Sequence, residues 1–322
     1  MATVSVLLAS YNQVEYLTQA IESVLQQTFE DWELVIVDNG STDGSQDLLK
    51  KYSGHPKIRT LLFSENLPPT QRWNHAISIM QGDFVSILCA DDYYLPEKLA
   101  LQVEQFATQP ADCGVIYSPG YRLNDDTKAQ WLDPTITASG WILPDLLNGL
   151  GRVFIHPVSQ LIRRECFKRY PYYEDMFMEG ESIFFRFAMS YRFHYHPTPT
   201  VVMREHARNM GRSLKRNLPN ILTCLERLSG FPELNPSDAR LLERVKTRFF
   251  RNSAWMTLRV TNDSGWARDM FLRGLSRDWR QGLHPKTIIG LGLTFLPERA
   301  LANVNALLFR LHPGMHRVDH VT

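Results

Sequence analysis

Two adjacent carboxylates, Asp91 and Asp92, follow the apolar run Phe84-Val85-Ser86-Ile87-Leu88 through Cys89-Ala90 and precede Tyr93-Tyr94-Leu95-Pro96. At the end of a buried strand such a pair is costly, because like charges repel and desolvation disfavours both ionised forms. A divalent cation removes that cost, and carboxylate oxygens are the ligands that Mg²⁺ or Mn²⁺ prefers. Taken alone, an Asp ahead of a helix opened by Pro96 also serves as an N-cap. Two further polar breaks favour the metal reading: Ser10-Tyr11-Asn12 ends one apolar run, and Asp38-Asn39-Gly40-Ser41 ends another. Gathered at one rim, these groups suit a nucleoside diphosphate held through a metal. Tyr11 would stack on the base, Asp38 and Asn39 would accept hydrogen bonds from base or ribose, and Asp91 would bind the metal that grips both phosphates. A GxGxxG turn, a P-loop and a GxSxG elbow are absent from the sequence. Cys89 has no evident His partner, so a catalytic thiol is not expected.

The elements that must position these groups alternate over residues 1–120. Val4 to Ala9 is a short β-branched run of the kind found in buried parallel strands. Asn12 with Glu15 resembles a capping box, and Val14, Leu17, Ile21, Val24 and Leu25 then fall at helical spacing. Trp32 to Val37 reads as a second strand, Thr42 to Tyr52 as a helix, and Ile58 to Phe63 as a third strand. Trp73, Ile77 and Met80 stripe a helix, which makes Trp73 core and not a stacking platform. Phe84 to Leu88 is a fourth strand, Pro96 opens a helix with Leu99, Val103 and Phe106 inward, and Val115-Ile116-Tyr117 is a fifth strand. This order predicts an α/β fold with a doubly wound, mostly parallel sheet of Rossmann type. Ligands in such sheets bind beyond the carboxyl ends of the strands, where the polar breaks lie.

From about 120 to 200 the pattern loosens. Beyond 207 it is helical and basic, with helices expected near 219–229, 237–260, 264–276 and 297–311. In the last of these Leu301, Val304, Leu308 and Leu311 form one stripe, suited to packing on the body or to a membrane interface. The net charge of +1 over 322 residues hides an asymmetry, for residues 207–322 carry 19 Lys and Arg against 9 Asp and Glu. Phospholipid headgroups, a diphosphate-linked lipid or nucleic acid would each complement that excess, as would plain solvation. The four cysteines, Cys89, Cys113, Cys166 and Cys224, have no metal-site spacing and read as reduced thiols of a cytoplasmic protein. No cleavable leader is evident, and the apolar stretch Thr287 to Leu296 is too short to cross a bilayer.

Val4-Ser5-Val6-Leu7-Leu8-Ala9-Ser10-Tyr11-Asn12, Glu22-Ser23-Val24-Leu25-Gln26-Gln27-Thr28, Val37-Asp38-Asn39-Gly40-Ser41-Thr42-Asp43-Gly44 and Ala90-Asp91-Asp92 with Pro96-Glu97-Lys98-Leu99 together resemble the family 2 glycosyltransferases of the GT-A fold, bacterial type. The likeness is continuous over about residues 1–120, and Gly180 to Arg186 and Arg204-Glu205-His206 resemble later family motifs. It implies a GT-A domain over residues 1–206, with a nucleotide-sugar half (1–120) and an acceptor half (121–206), followed by a basic helical extension over 207–322. It also implies an inverting, metal-dependent transfer from a nucleoside-diphosphate sugar to an acceptor hydroxyl. By family position Ala9, Ser10, Tyr11, Asn12, Asp38, Asn39, Arg72, Ala90 and Asp91 line the donor site. Asp91 is then the principal ligand of Mn²⁺ or Mg²⁺, with Asp92 supporting it near the donor sugar and His206 closing the shell. The family often has an Asp where this chain has Cys89, and a second acidic residue where it has Asn39.

The catalytic base comes from Met178-Glu179-Gly180-Glu181-Ser182-Ile183-Phe184-Phe185-Arg186. Aligning on Arg186 puts Gly180 at the family's catalytic Asp, whereas aligning on Phe184-Phe185 puts Glu181 there. Glu181 is preferred over Glu179, and either reads otherwise as a charge at a helix start. His156-Pro157 is placed on the acceptor side. The expected partners are the donor, a glycan or lipid-linked acceptor in cell-surface polysaccharide or lipopolysaccharide synthesis, and a membrane surface met by the basic helices; nucleic acid is not among them. The enzyme is then expected in the cytoplasm or peripherally on the inner face of the plasma membrane. Two rivals remain: a nucleotide-sugar-binding relative without turnover, and a sugar nucleotidyltransferase, which lacks its Gly-rich loop here.

Overall fold

A computed structural model describes residues 3–209 and 214–311, with the side chains of 214–216 and 308–311 excepted. The chain divides into two compact units, residues 1–206 and 207–322. The first unit opens with β1 (Val4–Ser10), α1 (Val14–Leu25), β2 (Trp32–Asp38), α2 (Ser45–Lys50), β3 (Ile58–Leu62), α3 (Pro69–Ile79) and β4 (Phe84–Cys89). Then come β5 (Tyr93–Tyr94), α4 (Lys98–Thr108), β6 (Cys113–Tyr117), β7 (Gly120–Asn124), β8 (Gln130–Asp133), α5 (Leu143–Gly149), β9 (Leu161–Arg163) and α6 (Arg164–Arg169). A 3₁₀ turn (Gly180–Ser182), α7 (Ile183–Ser190), β10 (Arg192–Tyr195) and β11 (Val201–Glu205) complete it.

The main sheet has seven strands in the order β10-β6-β9-β4-β1-β2-β3. Its centre is parallel, and β1 is apolar on both faces because helices cover both. The strand order reverses between β1 and β4, so their carboxyl ends form the crevice where open α/β sheets bind ligands. The sheet is more mixed than the periodicity predicts, since β9 runs antiparallel to both β4 and β6. A second sheet, β5-β11-β7-β8, was not legible in the loosened stretch. Its strands are short, β5 has only two residues and β8 is largely exposed, so they carry no long apolar run. In α1 Leu17, Ile21 and Val24 of the predicted face are buried, together with Ala20, whereas Val14 in the first turn is exposed and Leu25 is partly buried. The expected capping box is corrected: Asn12 adopts φ +50° and binds the β2–α2 loop, and α1 has Gln13 at its N-cap with no side-chain bond.

The second unit contains α8 (Leu214–Leu228), α9 (Pro236–Val260), α10 (Ser264–Arg277), a 3₁₀ turn (Trp279–Leu283), α11 (Pro285–Leu293) and α12 (Glu298–Leu311). Asn235 caps α9 by accepting from the Ser237 and Asp238 amides, with Pro236 in the first turn. In α12 Leu301 is buried and Asn305 donates to the Leu258 carbonyl, so this helix packs on α9. The side chains of Leu308 and Leu311, assigned above to the same stripe, lie outside the described residues. No helix among the described residues is long and apolar enough to cross a membrane.

Lys98 fixes α4 to the strand that carries the acidic pair. Its side chain is fully buried, with Nζ 2.8 Å from Ser86 Oγ on β4, 2.8 Å from Gln102 Oε1 and 3.1 Å from the Gln160 carbonyl. Burial holds this amine well below the ordinary lysine range. Between that lowered value and the unfolded value of about 10.4, the unfolded chain binds the extra proton, so stability contributed here climbs with pH. Urea midpoints of the wild type and Lys98→Met across this window check the assignment: the substitution should abolish the climb, and equal slopes would refute it.

Candidate active site

Register places the site. Ser10 pairs with Asp38, and Ala9 pairs with Cys89, so three strand ends finish at one level. The Asn39 amide donates to the Ser10 carbonyl and the Ala90 amide to the Ala9 carbonyl, which closes the rim. The Ser10 hydroxyl is buried without a hydrogen-bond partner among the described residues. Tyr11 stands out from the rim, 41% exposed.

The polar side chains around the rim hold its loops together. The Asp38 carboxylate accepts from the Ser41 amide (2.9 Å), the Ser41 hydroxyl (2.5 Å) and Gln46 Nε2 (2.9 Å). Asn12 accepts from the Thr42 amide, and the Val14 amide donates to Asp43, joining the loops after β1 and β2. Asn39 was expected to meet a base, but its Nδ2 donates to Asn66 Oδ1 (2.8 Å) and the Leu67 carbonyl (2.7 Å), tying down the β3–α3 loop. Gly40 permits this close approach: its φ is +83°, and a Cβ there would lie 2.5 Å from the Glu65 carbonyl carbon. Arg72 stacks on Phe63 at 3.7 Å and leaves Nε buried with no hydrogen-bond partner among the described residues. Trp73 is buried against Tyr172, as expected of a core residue.

Asp91 and Asp92 follow β4 and are both buried. The second sheet closes over them. Tyr93 pairs with Val202, and this brings β11 alongside, so that the Arg204 amide donates to Asp92 Oδ1 at 2.9 Å. His206, just past β11, sets Nε2 3.1 Å from Asp91 Oδ2. The His206 ring stacks on Tyr16, whose hydroxyl donates to Asp125 at 2.7 Å. Burial and the Asp125 carboxylate push that hydroxyl up to about 12, so it stays a donor. Burial, followed by the adjacent Asp91 charge, drives the Asp92 carboxyl well above its ordinary range. Cys89 Sγ and oxygens of Asp91 and Asp92 lie within 4.8 Å of one another. This donor set fits a divalent cation: two adjacent buried carboxylates supply hard oxygen ligands, and His206 supplies a nitrogen beside them.

The two glutamates have different surroundings. Glu179 is buried and bound bidentately, with Arg186 Nε 2.9 Å from Oε1 and Nη2 2.6 Å from Oε2, and it also accepts from the Tyr173 amide. Gly180 takes φ +53°, turning the chain between them. The half-buried Glu181 carboxylate forms no ion pair among the described residues; packing around it raises its affinity for a proton, against the opposing influence of its own backbone amide and of Arg122. Burial raises the Cys89 thiol most, and the charges of Asp91, Asp92 and Glu181 add to that rise, so all three acids act electrostatically on this thiol. Sequence reasoning missed Arg122, which pairs with Asp133 at 2.7 Å and bears electrostatically on both Asp92 and Glu181. An isolated Arg in a stretch without periodicity carries no signal of this. His156 is buried with Nδ1 3.5 Å from Asp133 Oδ2, and burial lowers its proton affinity.

Comparison with known proteins gives a consistent family. The family model described as Glycosyl transferase family 2 matches residues 5–171. An uncharacterised glycosyltransferase, alr2836, from Nostoc sp. strain PCC 7120 is 40% identical over 107 residues, covering 33% of this chain and 33% of its own length. This chain thus spans about a third of that relative. Among solved structures, S. aureus TarS 1-349 in complex with UDP-GlcNAc superposes with a TM-score of 0.65 at 16% identity, covering 91% of this chain and 90% of that one. The mannosyltransferase PcManGT from Pyrobaculum calidifontis, in complex with GDP-Man and Mn²⁺, gives 0.61 at 17% identity over 99% and 83%. At that identity the likeness concerns the fold, which is GT-A.

Two outcomes follow from the charges. Mn²⁺ at a hundredfold excess over its Kd should stabilise the protein by about 2.7 kcal/mol, read as a rise in Tm. In Asp91→Asn that rise should vanish, while the metal-free Tm increases because the like-charge repulsion on Asp92 is removed; an unchanged Mn²⁺ response would remove Asp91 from the ligand set. Glu179→Ala leaves Arg186 buried without its counter-charge and should cost about 3–5 kcal/mol in chemical denaturation, against roughly 0.5 kcal/mol or less for Glu181→Gln.

Proposed function

The chain belongs to glycosyl transferase family 2, and from that premise we propose that it transfers a sugar from a nucleoside-diphosphate sugar to an acceptor hydroxyl, with inversion at the anomeric carbon. One observation carries the reading most: the carboxylates of Asp91 and Asp92 adjoin Cys89 at the end of β4, and Glu181, which forms no ion pair among the described residues, bears electrostatically on the same thiol. A carboxylate held without an ion pair beside a cation-binding pair is what general-base transfer at a diphosphate leaving group requires. Two superposing proteins hold UDP-GlcNAc and GDP-Man, the latter with Mn²⁺, so a UDP- or GDP-sugar is the first donor class to test.

In this reading Glu181 accepts the proton of the attacking hydroxyl. Its desolvated setting raises its basicity, and Arg122 opposes that rise. Glu179 positions the segment through Arg186 and takes no part in the proton transfer. Asp91, Asp92 and His206 hold Mn²⁺ or Mg²⁺, whose chemistry is to offset the negative charge that grows on the departing nucleoside diphosphate. Tyr11 stacks on the base, the Ser10 hydroxyl and backbone of the Asp38-Asn39 turn meet base and ribose, and Arg72 meets phosphate. His156, with Asp133, lies toward the acceptor. The acceptor is a glycan or lipid-linked glycan of cell-surface polysaccharide or lipopolysaccharide synthesis. The residue 207–322 unit, carrying 19 basic against 9 acidic side chains, meets anionic headgroups at the cytoplasmic face.

A second reading, a donor-binding relative without turnover, draws on Gly180, which stands where the family's Asp is expected, and on Cys89. The two separate in one set of measurements. Glu181→Gln should lower kcat by about 10²–10⁴ with donor KM little changed. Wild-type kcat should fall as pH drops through the raised carboxyl of Glu181, because only the ionised form accepts a proton. A thermal-shift panel of UDP-, GDP-, dTDP- and CDP-sugars with Mn²⁺ identifies the donor for this assay. Donor binding with neither transfer nor donor hydrolysis in the wild type would install the binding-only reading.

A further inference from the structure

The α11 segment is packed inside out. Its buried positions are Thr287, Gly290 and, just past its end, Thr294, while Ile288, Ile289 and Phe295 are 53–72% exposed. Ile288, Gly292 and Phe295 follow one another at i, i+4 and i+7, so they share the outward face, with Ile289 beside it. The orientation is fixed, because Gly290 lies against Phe271 of α10 so closely that a Cβ would fall 2.3 Å from the ring. Arg268 secures the other end, donating to Thr294 Oγ1 at 3.2 Å and to the Thr294 carbonyl at 2.5 Å, with its guanidinium 4.3 Å from the Phe295 ring. The buried face even leaves the Thr287 hydroxyl without a hydrogen-bond partner among the described residues. The 3₁₀ turn ahead of α11 adds Trp279 and Leu283, each 70% exposed.

In water this arrangement hides polar atoms and wets apolar ones, the reverse of what burial favours. It becomes favourable only when a partner covers the outward face. The charges flanking that face choose the partner. Arg280 and Lys286 stand beside Trp279 and Ile288 in the chain, and neither forms an ion pair among the described residues. The unit around them has the same sign, with 19 Lys and Arg against 9 Asp and Glu. A second copy of so basic a unit would be repelled, whereas an anionic bilayer surface is attracted. An exposed Trp at the edge of an aliphatic face suits the headgroup boundary, where its ring is half in hydrocarbon and its N–H in water. We infer that the outward face of α11, with Trp279 and Leu283 of the preceding turn, inserts into the interface of an anionic membrane. This rests on the membrane-surface reading above and names the side chains that enter.

The test uses the full chain and vesicles of phosphatidylcholine with or without phosphatidylglycerol, followed by co-sedimentation and tryptophan fluorescence. The wild type should bind the anionic vesicles with a blue shift that Trp279→Leu removes. The pair Ile288→Ser with Ile289→Ser should weaken binding by about tenfold or more, from the lost apolar burial. The pair Arg280→Gln with Lys286→Gln should reduce the preference for anionic vesicles. All variants should keep the wild-type donor-induced thermal shift, which verifies their folding. Equal vesicle binding by wild type and the serine pair overturns the insertion of α11 and leaves the wider membrane reading standing. Absence of wild-type binding to anionic vesicles overturns both. A dimer in size-exclusion chromatography with light scattering that the serine pair dissolves overturns it in favour of a second copy.

Discussion

Placing two carboxylates side by side at the buried end of β4 is the constraint that the rest of the first unit answers. In that position each loses hydration and opposes the other, and the rise of the Asp92 carboxyl records the conflict. The protein answers the pair with hydrogen bonds and with the charges of Arg122 and Arg204, which oppose the rise of Asp92. Asp92 receives the Arg204 amide and Asp91 faces His206 Nε2. The Arg204 guanidinium turns elsewhere, toward Gln19 and Asp125 and against the rings of Tyr16 and Tyr93. Arg122, the other nearby cation, is matched by Asp133 and Glu205. Each arginine thus also answers other acids, and the two adjacent carboxylates concentrate an excess of like charge at one strand end that a bound cation would offset.

That excess explains why a second sheet is needed. A strand end alone offers no support for buried carboxylates beyond its own turn. The two-residue β5 immediately after Asp92 joins β11, and β11 delivers a backbone N–H and His206 to the pair. The opposite rim is handled differently. Asp38, Asn39 and Asn12 direct their side chains into neighbouring loops, leaving mainly Tyr11, the Ser10 hydroxyl and backbone to face a ligand. A rim braced in this way is preformed, which lowers the ordering cost of binding any flexible ligand.

The sequence made the central strands, the buried faces of α1 and α4, and the acidic pair legible because each depends on local spacing. Buried parallel strands are continuous apolar runs, and Val4–Ser10 and Trp32–Asp38 are of that type. The second sheet was not legible, since Gln130–Asp133 is solvated and Tyr93–Tyr94 has only two residues. The antiparallel β9 of three residues was hidden for the same reason. Asn12 and Asn39 misled because residue type does not reveal which way an amide points: both have the chemistry to cap or to bind, and tertiary contacts assigned them to loops. The inverted helix α11 escaped as well, since an apolar stretch of that length reads as core by default.

The glutamates show how a short departure from a motif redistributes roles. Aligned on Arg186, Glu179 occupies the acidic position that answers the arginine, and the structure has them bound in both directions with the Tyr173 amide as a third contact. With three donors already on its two oxygens, this carboxylate is committed to holding the segment in place. The next position is Gly180, whose positive φ turns the backbone so that the following carboxylate emerges near Cys89 and the acidic pair. An ordinary side chain at residue 180 would oppose that turn by its own conformational preference. The glycine that stands at the family's usual acidic position is thus also the point where the backbone turns between Glu179 and Glu181, so the missing carboxylate and the turn are one structural adjustment.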